Sequence, residues 1–204
     1  MKKVFFVLLL SITQFTFAAA DNKSEQSKQD LVKQVAGQTN GLLEAGALLA
    51  AERLKKEKGF SPFAYILNDK NSLLLLEADG PLKGRLDVRS NIEYLRGQIM
   101  ESVHVAKAAG SEVVAAAIFS DSVAKMTSGK DQKGVAVEFE HSSGISTIQF
   151  VPYNLSDKGV PVMGESVTKL KPALFFKPKA EIDSDVKALK QEQIKESQKD
   201  NNKK

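Results

Sequence analysis

Three neighbouring residues carry side chains that could do chemistry: Glu138, Glu140 and His141. The two glutamates are two positions apart, and alternate residues of a β-strand share one face at a spacing of about 7 Å. Two carboxylates at that spacing could perform acid–base catalysis or bind a hard cation, and His141 could add a zinc ligand or a proton acceptor. Solvent-facing polar positions beside a surface turn explain the same pattern. The three residues are therefore candidates for a catalytic site, and the sequence predicts neither a metal nor a cofactor.

The element that must position these candidates is a β-hairpin over residues 134–153. Apolar and polar residues alternate along its first strand, and Ser143-Gly144 predicts a two-residue turn because Gly tolerates the positive φ that tight turns need. This turn pairs Glu140 with Thr147 on a polar face. The valines and phenylalanines between them form an apolar face, which we expect to pack against a helix.

Hydrophobic periodicity over the rest of the chain predicts the order helix, strand, strand, helix, strand, strand, strand. The predicted elements are a helix in 31–58 with a break at Asn40-Gly41, strands in 63–68 and 72–78, a helix from Ser90 to Gly110, a central strand in 112–125 and the hairpin, with an uncertain edge strand in 167–176. Ser90 and Glu93 have the spacing of a capping box. The unbroken apolar run 73–76 predicts a strand covered on both faces. The fold class is therefore α+β, with a mainly antiparallel five-stranded sheet packed with two helices.

Short motifs give this order a resemblance to known folds. Pro62-Phe63-Ala64, Glu140-His141 before the Gly144 turn, and Val151-Pro152-Tyr153 resemble a small uncharacterised family of bacterial exported α/β domains. The resemblance covers about residues 60 to 153. The order of elements is similar to the profilin-like, roadblock-type arrangement. What the resemblance implies is a fold, and it assigns no catalytic residue.

The two ends of the chain differ in composition from its middle. Lys2 and Lys3, an apolar run to about Phe17, and three alanines before position 21 are typical of a signal peptide in residues 1–20 that is cleaved near Ala20. The remaining chain divides into a flexible linker in 21–30, a single α+β domain in 31–176, and a Lys-rich, partly disordered tail in 177–204 with an uncertain helix from about Asp183.

Composition excludes several classes of function. The chain has no cysteine, which excludes disulfides, thiolate metal sites and a thiol nucleophile. Of its 29 basic and 25 acidic residues, signal cleavage removes two lysines and leaves 27 and 25. This near-neutral, interspersed charge argues against nucleic acid as a partner. The sequence has no P-loop, dinucleotide or G-x-S-x-G motif.

These observations favour an exported, periplasmic or secreted protein without enzymatic activity. We expect it to bind another protein or a small ligand through its sheet or a sheet edge, with a homodimer through a helix or a sheet edge as one form of that interaction. No transmembrane segment is expected after signal cleavage. One alternative is a metal-dependent or acid–base hydrolase that uses Glu138, Glu140 and His141. Another is an envelope-associated structural factor whose tail meets anionic lipid.

Overall fold

The computed structural model describes residues 22–78, 87–125 and 129–176. They form an α+β fold of two helices and a seven-stranded antiparallel sheet. The elements are α1 Asn22–Glu57, β1 Phe63–Asn68, β2 Leu73–Glu77, α2 Val88–Ala108, β3 Val113–Lys125, β4 Asp131–His141, β5 Ser146–Leu155, β6 Pro161–Met163 and β7 Val167–Leu170. The predicted signal peptide and the Lys-rich tail with its uncertain helix lie outside the described residues.

The α+β class and the two helices are confirmed, and the strands run in the order β2-β1-β3-β4-β5-β6, with β7 also paired to β5. The first five strands are those predicted from the sequence. The short strands β6 and β7 both pair along β5, which is long enough to hold one beside each half of its length. The sheet therefore has two more strands than the five predicted. One of them, β7, is the first part of the edge strand suggested in 167–176, and it ends before Pro172. The other, β6, has only three residues, which carry too little periodicity to recognise.

Strand β3 is central, as predicted, and is largely buried over its first eight residues, but β2 lies at the edge of the sheet. The apolar run 73–76 had indicated that both faces of β2 would be covered. That prediction is wrong, because Leu73 is 41% and Leu74 is 54% exposed. The first half of β2 thus presents leucine to solvent.

Helix α1 is continuous over 36 residues, so the predicted break at Asn40-Gly41 does not occur. The helix also begins at Asn22, which makes residues 22–30 helical where the sequence suggested a linker. A glycine inside a helix costs only about 1 kcal/mol relative to alanine. Burial of the adjacent Leu42 and Leu43 offsets this cost.

Two units can be distinguished along the chain, one up to Gln34 and one from Val35 onward. The second unit contains the sheet, α2 and the larger part of α1. Its part of α1 buries a stripe with helical spacing, which comprises Val35, Gln38, Thr39, Leu42, Leu43, Gly46, Ala50 and Leu54. This stripe packs on one face of the sheet.

The closest approach of α1 to the sheet is at Gly46. A Cβ atom placed on Gly46 would lie 1.9 Å from the ring of Phe119. That ring cannot easily move, because it stacks on Phe63 with a centroid separation of 5.1 Å and an interplanar angle of 8°. The small residue at position 46 therefore sets the distance between α1 and the centre of the sheet.

Helix α2 packs on the opposite face. Its apolar stripe, predicted from the sequence, contacts alternate residues of β1 and β3, and the buried cluster is Ala64, Ile66, Leu95, Ile99, Val113, Ala116, Ile118 and Phe175. Phe119 faces α1 and Ile118 faces α2, since successive residues of a strand point to opposite faces. The fold therefore has three layers, with the sheet between two helices.

The ends of α2 are defined by Asp87 and Gly110. Asp87, not Ser90, is the N-cap, and its Oδ1 accepts a 2.7 Å hydrogen bond from the Ser90 N–H. The predicted Ser90–Glu93 capping box is thus wrong, because the helix begins three residues earlier and the first-turn N–H that Asp87 satisfies is that of Ser90. At the other end, Gly110 has φ +73° and Ser111 N–H donates to Ala106 C=O at 2.9 Å, which ends the helix in a Schellman motif.

The predicted β4–β5 hairpin is present, but its register differs by one residue. The loop comprises three residues, 142–144. His141 N–H donates to Ile145 C=O at 2.8 Å, and Gly144 N–H donates to His141 C=O at 2.9 Å with Gly144 at φ +95°. This is the pattern of a three-residue hairpin loop with glycine last. Glu140 consequently pairs with Ser146 and not with Thr147.

The pairing of β4 with β3 determines which helix each face of the hairpin meets. Val137 and Phe139 share the face of Phe119, which carries α1, and do not face α2 as the sequence suggested. Glu138 and Glu140 share the face of Ile118 and Ala116, which carries α2. The two glutamates therefore point toward a helix and away from bulk solvent.

We predict that Gly46→Ala destabilises the protein by about 1–3 kcal/mol, because the added methyl group overlaps the Phe119 ring. Gly37→Ala in the same helix is the matched control, since its Cβ atom meets nothing within 4 Å. The control should be more stable than the wild type by about 1 kcal/mol. Urea unfolding followed by circular dichroism measures both changes, and equal effects of the two substitutions would contradict this packing.

Candidate functional site

The carboxylate of Glu140 is fully buried and has four close donor contacts. Its Oε1 accepts from Lys171 Nζ at 2.6 Å and from the Leu174 N–H at 2.8 Å. Its Oε2 accepts from the Phe175 N–H at 2.7 Å and from the Leu174 N–H at 2.9 Å. Backbone N–H groups and an ammonium thus replace the hydrogen bonds to water that the carboxylate loses on burial.

Glu138 lies two residues away on the same face and pairs with α2. Arg96 donates to it through Nη2 at 2.6 Å and through Nε at 3.3 Å, which is a two-point contact. Arg96 also reaches Glu93 at 2.6 Å, and Lys171 Nζ lies 3.7 Å from Glu138. Acids and bases therefore alternate from α2 through β4 to the segment after β7. We call this set, Glu93, Arg96, Glu138, Lys171 and Glu140, the charge network.

Burial of Arg96 disfavours its charged form, but the hydrogen bond and charge of Glu138 outweigh this effect. Together with Glu93 they raise the pKa of Arg96. The guanidinium therefore stays charged at every pH at which the protein is folded, and it is a permanent counter-charge for Glu138.

The charge network positions residues 171–176, which follow β7. Lys171 N–H donates to Ser146 C=O at 3.1 Å, and its ammonium lies 5.4 Å from the centroid of the Phe175 ring. Phe175 itself is buried in the cluster with Leu95 and Ile99. The segment therefore covers the α2 face of β4, and Glu140 holds it there.

The sequence correctly placed Glu138 and Glu140 on one face, but it wrongly predicted that this face is open to solvent. Arg96 and Lys171 were missed. Arg96 lies between Ile92 and Ile99 at helical spacing, so an arginine beside an apolar stripe was the available signal. Nothing local to Lys171 indicates a partner 31 residues away.

His141 lies on the opposite face of the sheet from the two glutamates and is buried. Its Nδ1 accepts the Ser143 N–H at 3.0 Å and lies 2.9 Å from the Ser143 hydroxyl. Because a backbone N–H can only donate, Nδ1 carries no proton, and the ring proton is on Nε2. Nε2 then donates to Gln38 Oε1 at 3.2 Å, and Gln38 donates to Asn71 Oδ1 at 3.2 Å.

This arrangement suits a neutral imidazole. Burial lowers the pKa of His141, and protonation of Nδ1 would place a hydrogen against the Ser143 N–H. His141 therefore connects α1 to the β4–β5 turn and does not approach Glu138 or Glu140. The expectation that it is a surface residue is wrong, because His141 is the last residue of β4 and lies on the face that carries α1, where its ring contacts Gln38.

A further pair, which sequence reasoning missed, joins the half-buried Asp121 of β3 to the buried Tyr153 of β5. The Tyr153 hydroxyl donates to Asp121 Oδ1 at 2.8 Å. Burial, together with the hydrogen bond and charge of Asp121, raises the pKa of Tyr153 well above its usual value. Gly59 lies against the same carboxylate, since a Cβ atom there would be 2.9 Å from Asp121 Oδ2. Tyr153 is thus held as a neutral donor.

An open groove of about 360 Å³ lies near the end of the sheet where β4 begins and β5 ends. It is lined by Asp131, Gln132, Lys133, Tyr153, Asn154 and Leu155. None of the three candidate residues lies in it. In the parts of the chain described by the structure, no three His, Asp or Glu side chains come together as metal ligands would.

Comparison with protein-family models, curated proteins and solved structures finds no match to this chain. Its chemistry must be inferred from its own residues. Neither described helix has an apolar stretch long enough to cross a bilayer. The charge network and the His141 contacts connect elements of the fold, and neither borders the groove.

We predict that Glu140→Gln lowers the free energy of unfolding by about 3 kcal/mol or more, because it leaves Lys171 and backbone N–H groups with an incomplete set of acceptors. Glu93→Gln is the matched control, since Glu93 belongs to the same network but its side chain is 57% exposed. That change should stay within about 0.5 kcal/mol. Urea unfolding measures both, and a Glu140→Gln protein as stable as the wild type would contradict a holding role for Glu140.

We predict a loss of stability at mildly acidic pH that depends on His141. Its pKa is lowered in the folded state, so the unfolded chain binds more protons than the folded one below about pH 6.5. The contribution to stability is complete above that pH and is lost as the pH falls through it. The measurement is urea unfolding at several pH values between about 7.5 and 5.

His141→Asn should flatten this pH dependence, whereas the control His104→Asn, at an exposed position of α2, should retain it. Identical pH profiles for His141→Asn and the wild type would refute the assignment.

Proposed function

We propose that this chain is an exported, non-enzymatic interaction domain that binds an extended polypeptide segment along strand β2. The observation that carries the proposal is the outer edge of β2, with which no strand among the described residues pairs. Edge strands of monomeric proteins usually have charges, prolines or bulges that prevent pairing with another chain. Strand β2 has four consecutive leucines, and its one charged residue, Glu77, stands at its end.

The pairing of β2 with β1 determines which backbone groups of β2 point outward. Asn68 N–H donates to Ser72 C=O at 3.1 Å, so the 68/72 pair is hydrogen-bonded. Hydrogen-bonded and non-hydrogen-bonded pairs alternate along an antiparallel ladder. Leu74 and Leu76 therefore direct their N–H and C=O groups toward β1.

The intervening residues Leu73, Leu75 and Glu77 direct theirs away from the sheet. No other strand among the described residues pairs with this side of β2. An extended peptide placed there would gain a row of backbone hydrogen bonds, and the exposed Leu73 and Leu74 would gain apolar contacts. This is the geometry of recognition by strand addition.

The alternative functions have less support. A hydrolase based on Glu138, Glu140 and His141 would need groups that already hold α1, α2 and residues 171–176, and His141 is on the other face from the carboxylates. An envelope-associated factor would act through the lysines after position 176, which alternate with acids. The resemblance to exported bacterial domains and the profilin-like layout remain our predictions.

Export is supported by the N-terminal residues. Two lysines, an apolar run and three alanines give the charged, apolar and small-residue regions of a signal peptide in their usual order. Absence of cysteine leaves folding in an oxidising compartment free of disulfide exchange. The mature protein would begin at Asp21.

The function is tested by placing the photoreactive residue benzoylphenylalanine at position 74 of the full chain in a bacterial host. We predict a specific cross-linked polypeptide, because position 74 is beside the outer edge of β2. The same residue at position 105, an equally exposed apolar site on α2, is the control and should give no such product. Mass spectrometry of the purified product also reports its N-terminus.

The variant Leu75→Pro adds a test of the binding geometry. Proline removes an N–H that points away from β1, so it blocks strand addition while the β1 pairing stays intact. The cross-link at position 74 should disappear in this variant. Equal cross-linking at 74 and 105, or a product unaffected by Leu75→Pro, would refute binding along β2.

A further inference from the structure

We propose that the segment bound along β2 is strand β2 of a second copy of this chain, antiparallel and centred on Leu75. This inference rests on the proposed function, since it identifies the occupant of the same edge. The resulting dimer has a two-fold axis perpendicular to the sheet. One continuous sheet then crosses the interface, with both α1 helices on one face and both α2 helices on the other.

The hydrogen-bonding pattern selects this register. The outward-pointing residues are Leu73, Leu75 and Glu77, and they are symmetric about Leu75. In the centred register, Leu75 pairs with Leu75 of the second copy, and Leu73 pairs with Glu77 in both directions. Every outward N–H and C=O group of β2 then has a partner. An axis at Leu73 or at Glu77 would leave part of this set without a partner strand.

The side chains fit the same register. Leu74 of one copy lies opposite Leu76 of the other, and both are on the α2 face of the sheet. They form a non-hydrogen-bonded pair, in which opposed side chains approach most closely. The 54% exposed Leu74 thereby extends the apolar cluster that Leu76 already contacts within its own copy.

Charge is compatible with self-pairing in this register. Glu77 is the only charged residue of β2, and it forms an ion pair with Arg53 of its own copy. It lies opposite Leu73 of the second copy and is separated from the other Glu77 by the length of the strand. An axis at Glu77 would bring two like charges together, which is unfavourable in directly opposed positions.

The length of β2 indicates how strong the association should be. A pair of five-residue strands buries less area than the roughly 1,200 Å² of stable protein interfaces. The dimer should therefore form in a concentration-dependent manner, and sedimentation equilibrium over a wide concentration range is the suitable measurement.

Leu74→Lys should raise the dissociation constant of the dimer by roughly tenfold or more, because each copy loses an apolar contact and gains a charge there. Val105→Lys, at an exposed apolar position of α2, is the matched control and should leave the dissociation constant unchanged.

The register is tested with single cysteines, which is possible because the chain has none of its own. Non-hydrogen-bonded pairs bring Cβ atoms close enough for a disulfide. Chains carrying Leu74→Cys, mixed with chains carrying Leu76→Cys, should form a mixed disulfide on mild oxidation. Neither variant alone should form one, because residues 74 and 76 oppose each other and not themselves.

Two results would overturn a dimer in which β2 pairs with itself about Leu75. One is a disulfide in Leu74→Cys alone, which requires another register. The other is a monomer at every concentration, and its meaning for the proposed function depends on the cross-linking at position 74. A cross-link there to a different polypeptide would leave strand addition intact with another partner. A monomer without any cross-link would refute both proposals.

Discussion

The buried carboxylate of Glu140 is the group on which the rest of this structure depends most. A carboxylate without solvent is stable only when donors surround it, and here the donors come from Lys171 and the backbone of 174–175. Those donors are distant in the sequence, so satisfying Glu140 requires residues 171–176 to fold back over β4. This return places Phe175 in the core against α2. The hydrogen bonds that the buried Glu140 carboxylate needs thus also bring an aromatic side chain into the apolar core.

The two faces of the sheet solve the packing problem in different ways. On the α1 side, Gly46 allows the helix to approach an aromatic stack, and the buried contact between Gln38 and His141 ties the middle of the helix to β4. On the α2 side, aliphatic residues form the core and Arg96 neutralises Glu138 at its border. Because both helices pack on the middle strands, the edge strands β2 and β7 are more exposed to solvent than β1.

This distribution relates the fold to the proposed function. The ionisable side chains that could perform chemistry instead hold the elements of the fold together. The apolar outer edge of β2, with its free backbone hydrogen-bonding groups, pairs with no strand within the described chain. An edge that is regular, uncharged in its centre and rich in leucine favours addition of another strand. The proposed self-pairing uses a strand edge with which no other described strand pairs.

The sequence by itself determined the α+β class, the two helices, five of the strands and the shared face of Glu138 and Glu140, because these depend on local periodicity. Only the tertiary structure decided what that face meets. Two turn lengths were compatible with the residues around Gly144, and the longer one shifted the pairing by one residue. The partners Arg96 and Lys171 are far away in the chain, and pairings between distant residues leave no periodic signal. The exposure of β2 was likewise a matter of strand order, which a run of leucines does not encode.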